Sequence, residues 1–246
     1  MMGKSEKGRA GCGCLLFVLV VCMILAGALM HPISLRMISG RFIYADKVVP
    51  CDAIFVPRFS EDTNGEVYAE AFREYWAGNG KAIYVENDRV LGLTMKEIVT
   101  KMAGTRGIKE NAIRALDTER EGTATPDKVG EMLARHGLKK VLIVVPEYAS
   151  RRFHRLYGSG NSSPTRSHGK DIIFLVKPAD VSYFRADKWW KNGVSRGLIE
   201  HEIYEFASFY TRSFRSEKKV SGGEEERRDE EKTTDDAAAP GTPEKR

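Results

Sequence analysis

A chain of 246 residues, 42% hydrophobic and 30% charged, can bury one medium-sized core with extensions at its ends, which excludes a wholly disordered or fibrous protein. The net charge of +5 is unevenly placed, because residues 216–246 are acidic by about three charges and leave roughly +8 on the rest. No basic run is interleaved with aromatics, so a nucleic-acid partner is set aside, whereas phosphates or an anionic membrane surface suit such a body.

Residues 1–11 are basic, with Lys4, Lys7 and Arg9 opposed only by Glu6. Residues 12–30 follow as about 19 residues without a charge, enough to span a bilayer as one helix. The positive-inside rule keeps the N-terminus cytoplasmic. The expectation is a single-pass protein of the inner membrane with its soluble domain on the periplasmic, extracytoplasmic side. A cleaved signal peptide is the competing reading, since Ala26-Gly27-Ala28 offers a small-x-small site. Cys22 follows Val20-Val21 instead of a small residue, which argues against lipid attachment. Cys12 and Cys14 read as packing or acylation positions at the membrane edge rather than a metal or redox pair. Cys51 is the lone soluble cysteine, so the soluble part forms no internal disulfide.

Residues 31–49 read as a juxtamembrane linker, with a short helix after Pro32 that carries Ile33, Met37 and Ile38. The main domain is expected over residues 50–215. Its strand-like runs are 52–56, 81–85, 141–145 and 171–176, each continuously apolar and rich in Val and Ile, as strands buried on both faces are. Between them the helical stripes are Tyr68, Ala71, Phe72, Tyr75 and Trp76, then Met95, Ile98, Val99 and Met102. Thr125-Pro126 opens another helix, with threonine as N-cap and proline at the first helical position. A last helix carries Ile199, Ile203, Phe206 and Tyr210. Alternating strands and helices predict an α/β fold, a Rossmann-like parallel sheet with flanking helices behind one N-terminal transmembrane helix. Residues 216–246 are too polar to bury a core and are expected to be a disordered charged tail.

In such sheets ligands bind beyond the carboxyl ends of the strands. Those ends are Pro57-Arg58, Glu86-Asn87-Asp88, Pro146-Glu147 and Lys177-Pro178, and Arg151 and Arg152 follow the third within one turn. Arg152, helped by Arg151 or Arg58, is therefore the expected anion clamp, with the helix N-terminus at Thr125 as a second anchor. The phosphate loop, the dinucleotide fingerprint, the nucleophile elbow, the zinc-protease helix and paired CxxC are all absent. Of the five histidines, only His154 lies on the helix that carries the arginines; the others, His31, His136, His168 and His201, are scattered. Glu86, Asp88, Glu147 and Asp180 offer a weaker alternative, oxygen ligands for Mg²⁺ or Ca²⁺ in a metal-dependent phosphohydrolase. Trp189-Trp190 reads as a cover for the sheet edge, or less readily as a contact with lipid headgroups.

The order of motifs resembles the YdcF/SanA/ElyC family of envelope-associated proteins. Asp52 to Val56 match its first strand, Tyr75-Trp76 its aromatic pair, Glu119 and Thr125 its middle cluster, and Val141 to Val145 the next strand. Arg152 matches its arginine, and Trp189-Trp190, Glu200 and Tyr210 its closing segment. The resemblance implies a Rossmann-like domain that binds a phosphate-bearing or nucleotide-like ligand, with Glu119 beside the arginines in the site. It also implies adenosylmethionine or a nucleotide as cofactor, a lipid carrier as ligand, and envelope proteins as partners in envelope biogenesis. No catalytic residue follows from it. The family's Gly-rich turn is Pro57-Arg58-Phe59 in this chain, its Ser-Gly-Gly is Glu86-Asn87-Asp88, its serine and asparagine fall on Gly122 and Ala124, and its histidine falls on Ala149. Those departures favour the alternative, a degenerate, non-catalytic scaffold or regulator in the envelope.

Overall fold

The computed structural model describes residues 9–90, 92–116, 125–158 and 172–208. The chain divides into two compact units, residues 1–202 and 203–246. Of the second, residues 203–208 are described and are helical. The remaining features belong to the first unit.

Five strands form one parallel sheet: β1 (Ala53–Val56), β2 (Ile83–Glu86), β5 (Ile113–Leu116), β6 (Lys140–Pro146) and β7 (Ile173–Ala179), in the order β5-β2-β1-β6-β7. Between β2 and β5 a two-stranded antiparallel ribbon forms from β3 (Arg89–Val90) and β4 (Leu93–Thr94). The α/β, Rossmann-like architecture expected from the sequence is present. β1 lies at the centre, with Ala53 beside Val141 of β6 and Ile54 beside Ile83 of β2. The side chains of β1 and those from Val141 to Val145 in β6 are completely buried, which is why both read as unbroken apolar runs.

The helices are α1 (Arg9–Leu29), α2 (Pro32–Gly40), α3 (Glu66–Trp76), α4 (Met95–Gly104), α5 (Pro126–Arg135) and α6 (Ser150–Tyr157), and residues 193–208 are also helical. α3 buries Val67, Tyr68, Ala71 and Phe72 and stops before Gly78, whose φ of 77° needs a residue without Cβ. α4 begins at a capping box in which Thr94 and Glu97 satisfy each other's backbone N–H. α5 has Thr125 in the N-cap position, as expected, but its side chain makes no capping hydrogen bond.

Two departures concern the N-terminal region. No single helix among the described residues is long and apolar enough to cross a membrane; residues 15–29 of α1 and α2 meet that requirement only as a pair bent by 61°. The break falls where Pro32, lacking an N–H, starts a new helix capped by the His31 side chain. Moreover, residues expected as a linker are stitched to the domain. Phe42 is buried, its carbonyl accepts from the Arg151 N–H (3.0 Å), and the Tyr44 N–H donates to Ser150 Oγ (2.8 Å). Asp46 continues the edge of β7, donating its N–H to Val176 O and accepting the Val176 N–H on Oδ2.

Candidate functional site

Strand order reverses between β1 and β6, since β2 lies on one side of β1 and β6 on the other. The crevice beyond the carboxyl ends of these two strands is where this architecture places ligands. It is bounded by residues 57–65, leading from β1 to α3, and residues 147–149, leading from β6 to α6.

The N-terminus of α3 opens here, and free N–H groups at such an end would attract an anion. A carboxylate of the chain already occupies it. Asp62 Oδ1 accepts the Glu66 N–H at 2.8 Å and Oδ2 accepts the Val67 N–H at 2.9 Å. Burial raises the Asp62 pKa above the usual carboxylate value, although both N–H bonds pull it down. Glu66, in the first turn, is turned away to Ser182, accepting from its N–H and its hydroxyl, and these bonds lower its pKa.

Each expected cationic ligand is engaged within the protein. Arg58 donates its backbone N–H to Glu86 Oε2 (2.9 Å), and its guanidinium pairs with Asp88. Glu86 is only 5% exposed, and burial raises its pKa against the opposing pull of Arg58. Arg152 holds Glu202 in a forked pair: Nε lies 3.1 and 2.9 Å from the two carboxylate oxygens, and Nη2 2.9 Å from Oε1. Glu202 is completely buried. Arg151 points to the segment after α2, donating Nη2–H to Ile43 O (3.3 Å) with its guanidinium 5.5 Å from the Tyr44 ring centre.

Aromatic rings pack against one another near these charges. Phe59 lies 5.5 Å from Phe153, which stacks nearly parallel on Tyr157 at 5.8 Å, and Tyr157 in turn meets Phe55 of β1 at 6.3 Å. Tyr68, buried on α3, has a hydroxyl with no hydrogen-bond partner among the described residues, and its surroundings include Asp62, Glu86 and Arg58. On the far side, burial raises the Glu147 pKa, and the negative charges of Asp180 and Asp187 add to it.

His154 also leaves the crevice. It stacks on Tyr44 (3.7 Å) with Nδ1 3.8 Å from Asp46, and burial lowers its pKa despite the Asp46 charge. His136 follows the end of α5, and His31 caps α2. The carboxylates considered as metal ligands do not assemble: among the described residues no group of three or more His, Cys, Asp or Glu is placed to hold an ion. Glu119, Gly122, Ala124, His168, Tyr210 and the tail from 216 lie outside the described residues.

Sequence reasoning missed Asp62 and Glu202, the two acids that close the site. Asp62 stands four residues before the first helical residue of α3, a spacing that no simple N-cap pattern reports. Glu202 lies three residues beyond the buried Ile199 and so shares its inward face, whereas Glu200, expected to match the glutamate of the resembled family, is exposed and lies 4.0 Å from Arg196. Comparison of the chain with family models, curated proteins and solved structures finds no match in any of the three.

Proposed function

We propose that this chain is a membrane-anchored, YdcF/SanA/ElyC-like domain that works as a non-catalytic scaffold or regulator in the cell envelope, its ancestral anion site filled by its own carboxylates. The observation that carries the reading is the pair of Asp62 N–H bonds at the start of α3, where a ligand phosphate would otherwise sit. The Arg152–Glu202 fork supports it, because it engages the arginine expected as the clamp, and the rings of Phe59, Phe153 and Tyr157 pack on one another beside it.

A second reading retains a phosphate-bearing or nucleotide-like ligand at the carboxyl edge. One specific observation favours it: the buried Tyr68 hydroxyl finds no partner among the described residues, and such groups normally have one. Under this reading Phe59 and Arg58 move aside and the ligand completes the hydrogen bond.

Thermal unfolding of the full chain in detergent, against adenosylmethionine, nucleotides, isoprenyl phosphates, inorganic phosphate and divalent cations, separates the two. A ligand at 100 times its Kd adds about 2.7 kcal/mol. The scaffold reading expects no stabilisation by any of them. A shift with one ligand that disappears in Tyr68→Phe, a variant that removes a single oxygen, overturns it in favour of the second.

A further inference from the structure

α2 has a buried face and, opposite it, an exposed apolar face. The inner face, Leu35 and Ser39, is buried against residues 186–189: Trp189 Nε1–H donates to Leu35 O (2.7 Å), Ser39 Oγ–H to Ala186 O (2.8 Å) and Arg36 Nε–H to Asp187 O (3.3 Å). The outer face carries Ile33 and Met37, one helical turn apart and 62% and 64% exposed. Leu29 and Met30, just before α2, are 61% and 73% exposed, and residues 15–25 of α1 present apolar side chains all round. The outer face of α2 thus follows, past the exposed His31 that caps it, a helix that is itself uncovered and apolar.

The inner-face contacts decide how α2 relates to a bilayer. Residues that hydrogen-bond the carbonyls of 186–187 and then run into the β7 edge at Asp46 cannot lie in hydrocarbon, because the domain would have to follow them. A bend of 61° leaves α2 within about 30° of the membrane plane when α1 runs along the normal, the attitude of an interfacial helix. Its flanks suit that depth. Arg36 and Arg41 are exposed, α2 holds no acid, and the segment packed on it adds exposed Lys188 and Lys191 with half-exposed Trp190. Cations and tryptophan are the residues that settle among lipid headgroups.

We propose that α2 lies in the headgroup layer with Ile33 and Met37 inserted, so that the bilayer surface is a docking partner that holds the α/β domain in one fixed orientation. The inference rests on the membrane-anchor reading of α1 and adds to it a rigid contact in place of a free tether. Rigidity comes from the stitched segment 42–46, which leaves no slack between the anchor and the sheet.

The test uses the full chain in phospholipid nanodiscs, its four cysteines replaced, with one environment-sensitive fluorophore placed in turn by Leu19→Cys, Met37→Cys and Lys109→Cys. Lys109 is exposed and precedes β5, at the opposite edge of the sheet from β7, and reports the aqueous baseline. Quenching by lipid-borne and by water-soluble quenchers is read at each site. Residue 19 should be deep, residue 109 aqueous, and residue 37 within roughly 5–10 Å of the headgroup boundary and shielded several-fold from the soluble quencher. A label at 37 as accessible as that at 109, with 19 deep, overturns the docking and leaves the anchor standing. A label at 37 as deep as that at 19 overturns it too, making α2 part of the span. A label at 19 open to water removes both the docking and the anchor.

Discussion

Arg152→Ala tests whether the arginine on α6 is a structural partner or a ligand clamp. The side chain makes three contacts of 2.9–3.1 Å with a carboxylate that has no exposure, and its guanidinium also lies 5.1 Å from the centre of the Phe153 ring. Removing one partner of a buried pair costs about 3–5 kcal/mol, because the remaining charge keeps its burial and loses its compensation. At about 2–4 °C per kcal/mol for a domain of this size, the variant should melt roughly 6–20 °C lower. Glu202→Gln should cost less, since Arg152 is 23% exposed and can turn part of its charge to water. The double change Arg152→Leu with Glu202→Leu should recover much of the loss, as paired apolar replacements of buried ion pairs do. Urea denaturation of the full chain in detergent, followed by tryptophan fluorescence, measures all three. An Arg152→Ala variant within 1 kcal/mol (about the value of an exposed pair) of the parent would refute the structural role and return Arg152 to the list of ligand groups.

Asp62, Glu86 and Glu147 have pKa values raised by burial, so their protonation favours the folded state. The stability they contribute is fully present below the ordinary carboxylate range and is lost as pH rises through their raised values; Asp52 and Glu66, whose values are lowered, lose theirs only as pH falls below that range. The share of Asp62, Glu86 and Glu147 in the denaturation midpoint should therefore fall as pH rises from the ordinary carboxylate range through their raised values. His154 opposes it, because its lowered value adds stability as pH rises through the imidazole range. Glu86→Gln should remove part of the falling component, and an unchanged slope removes Glu86 as its source. Gly80→Ala would place Cβ 2.6 Å from Ile54 Cγ1 and 3.1 Å from the Ala53 carbonyl carbon on the central strand, and should cost about 1–3 kcal/mol in the same unfolding assay. Ser150→Ala takes away the acceptor of the Tyr44 N–H, so residues 42–46 should lose amide-exchange protection while β6 keeps its own. Asp62→Ala frees the first N–H groups of α3, at a cost of about 0.5–2 kcal/mol, and should let inorganic phosphate stabilise a protein whose parent ignores it; equal indifference in both would show that the α3 terminus was never an anion site.

The doubly buried strands were legible because nothing polar interrupts them: β1, β2 and β6 each carry one continuous apolar run, Ala53–Val56, Ile83–Val85 and Val141–Val145. β5 escaped because it is an edge strand of four residues, Ile113–Leu116, whose Arg114 is exposed and breaks the apolar run. Its pairing with β2 is tertiary information that no local pattern carries. β7 was legible, but its end was placed early, since Pro178 suggests a stop; on an edge strand proline is tolerated, and pairing with β6 continues to Ala179. The carboxyl ends of the strands were legible from the alternation of strands and helices, and Arg58 does follow β1 while Arg151 and Arg152 open α6 after β6. What could not be read was their direction. An arginine's reach covers several partners, and whether it meets a ligand, Glu202 or Ile43 O depends on which elements the fold brings alongside.

The closing of this edge by carboxylates has a consequence for affinity that charge counting misses. Asp62 is held by the same short loop that leads into α3, so it competes with an outside anion as an intramolecular ligand. Even a flexible tether gives millimolar effective concentrations, and a preorganised loop gives more. A soluble phosphate would have to displace it, separate Arg58 from Glu86 and Asp88, and enter a space already occupied by Phe59 and Phe153. Weak anion affinity at this edge thus follows from occupancy, although Arg58, Arg151 and Arg152 all lie at or near it. The same bonds brace the β1–α3 and β6–α6 turns that a working nucleotide site would need to keep adaptable. The bracing continues through Arg151 and Ser150 to residues 42–44 and from there to α2. One connected set of contacts therefore runs from the sheet edge to α2, and it holds α2 against the α/β domain.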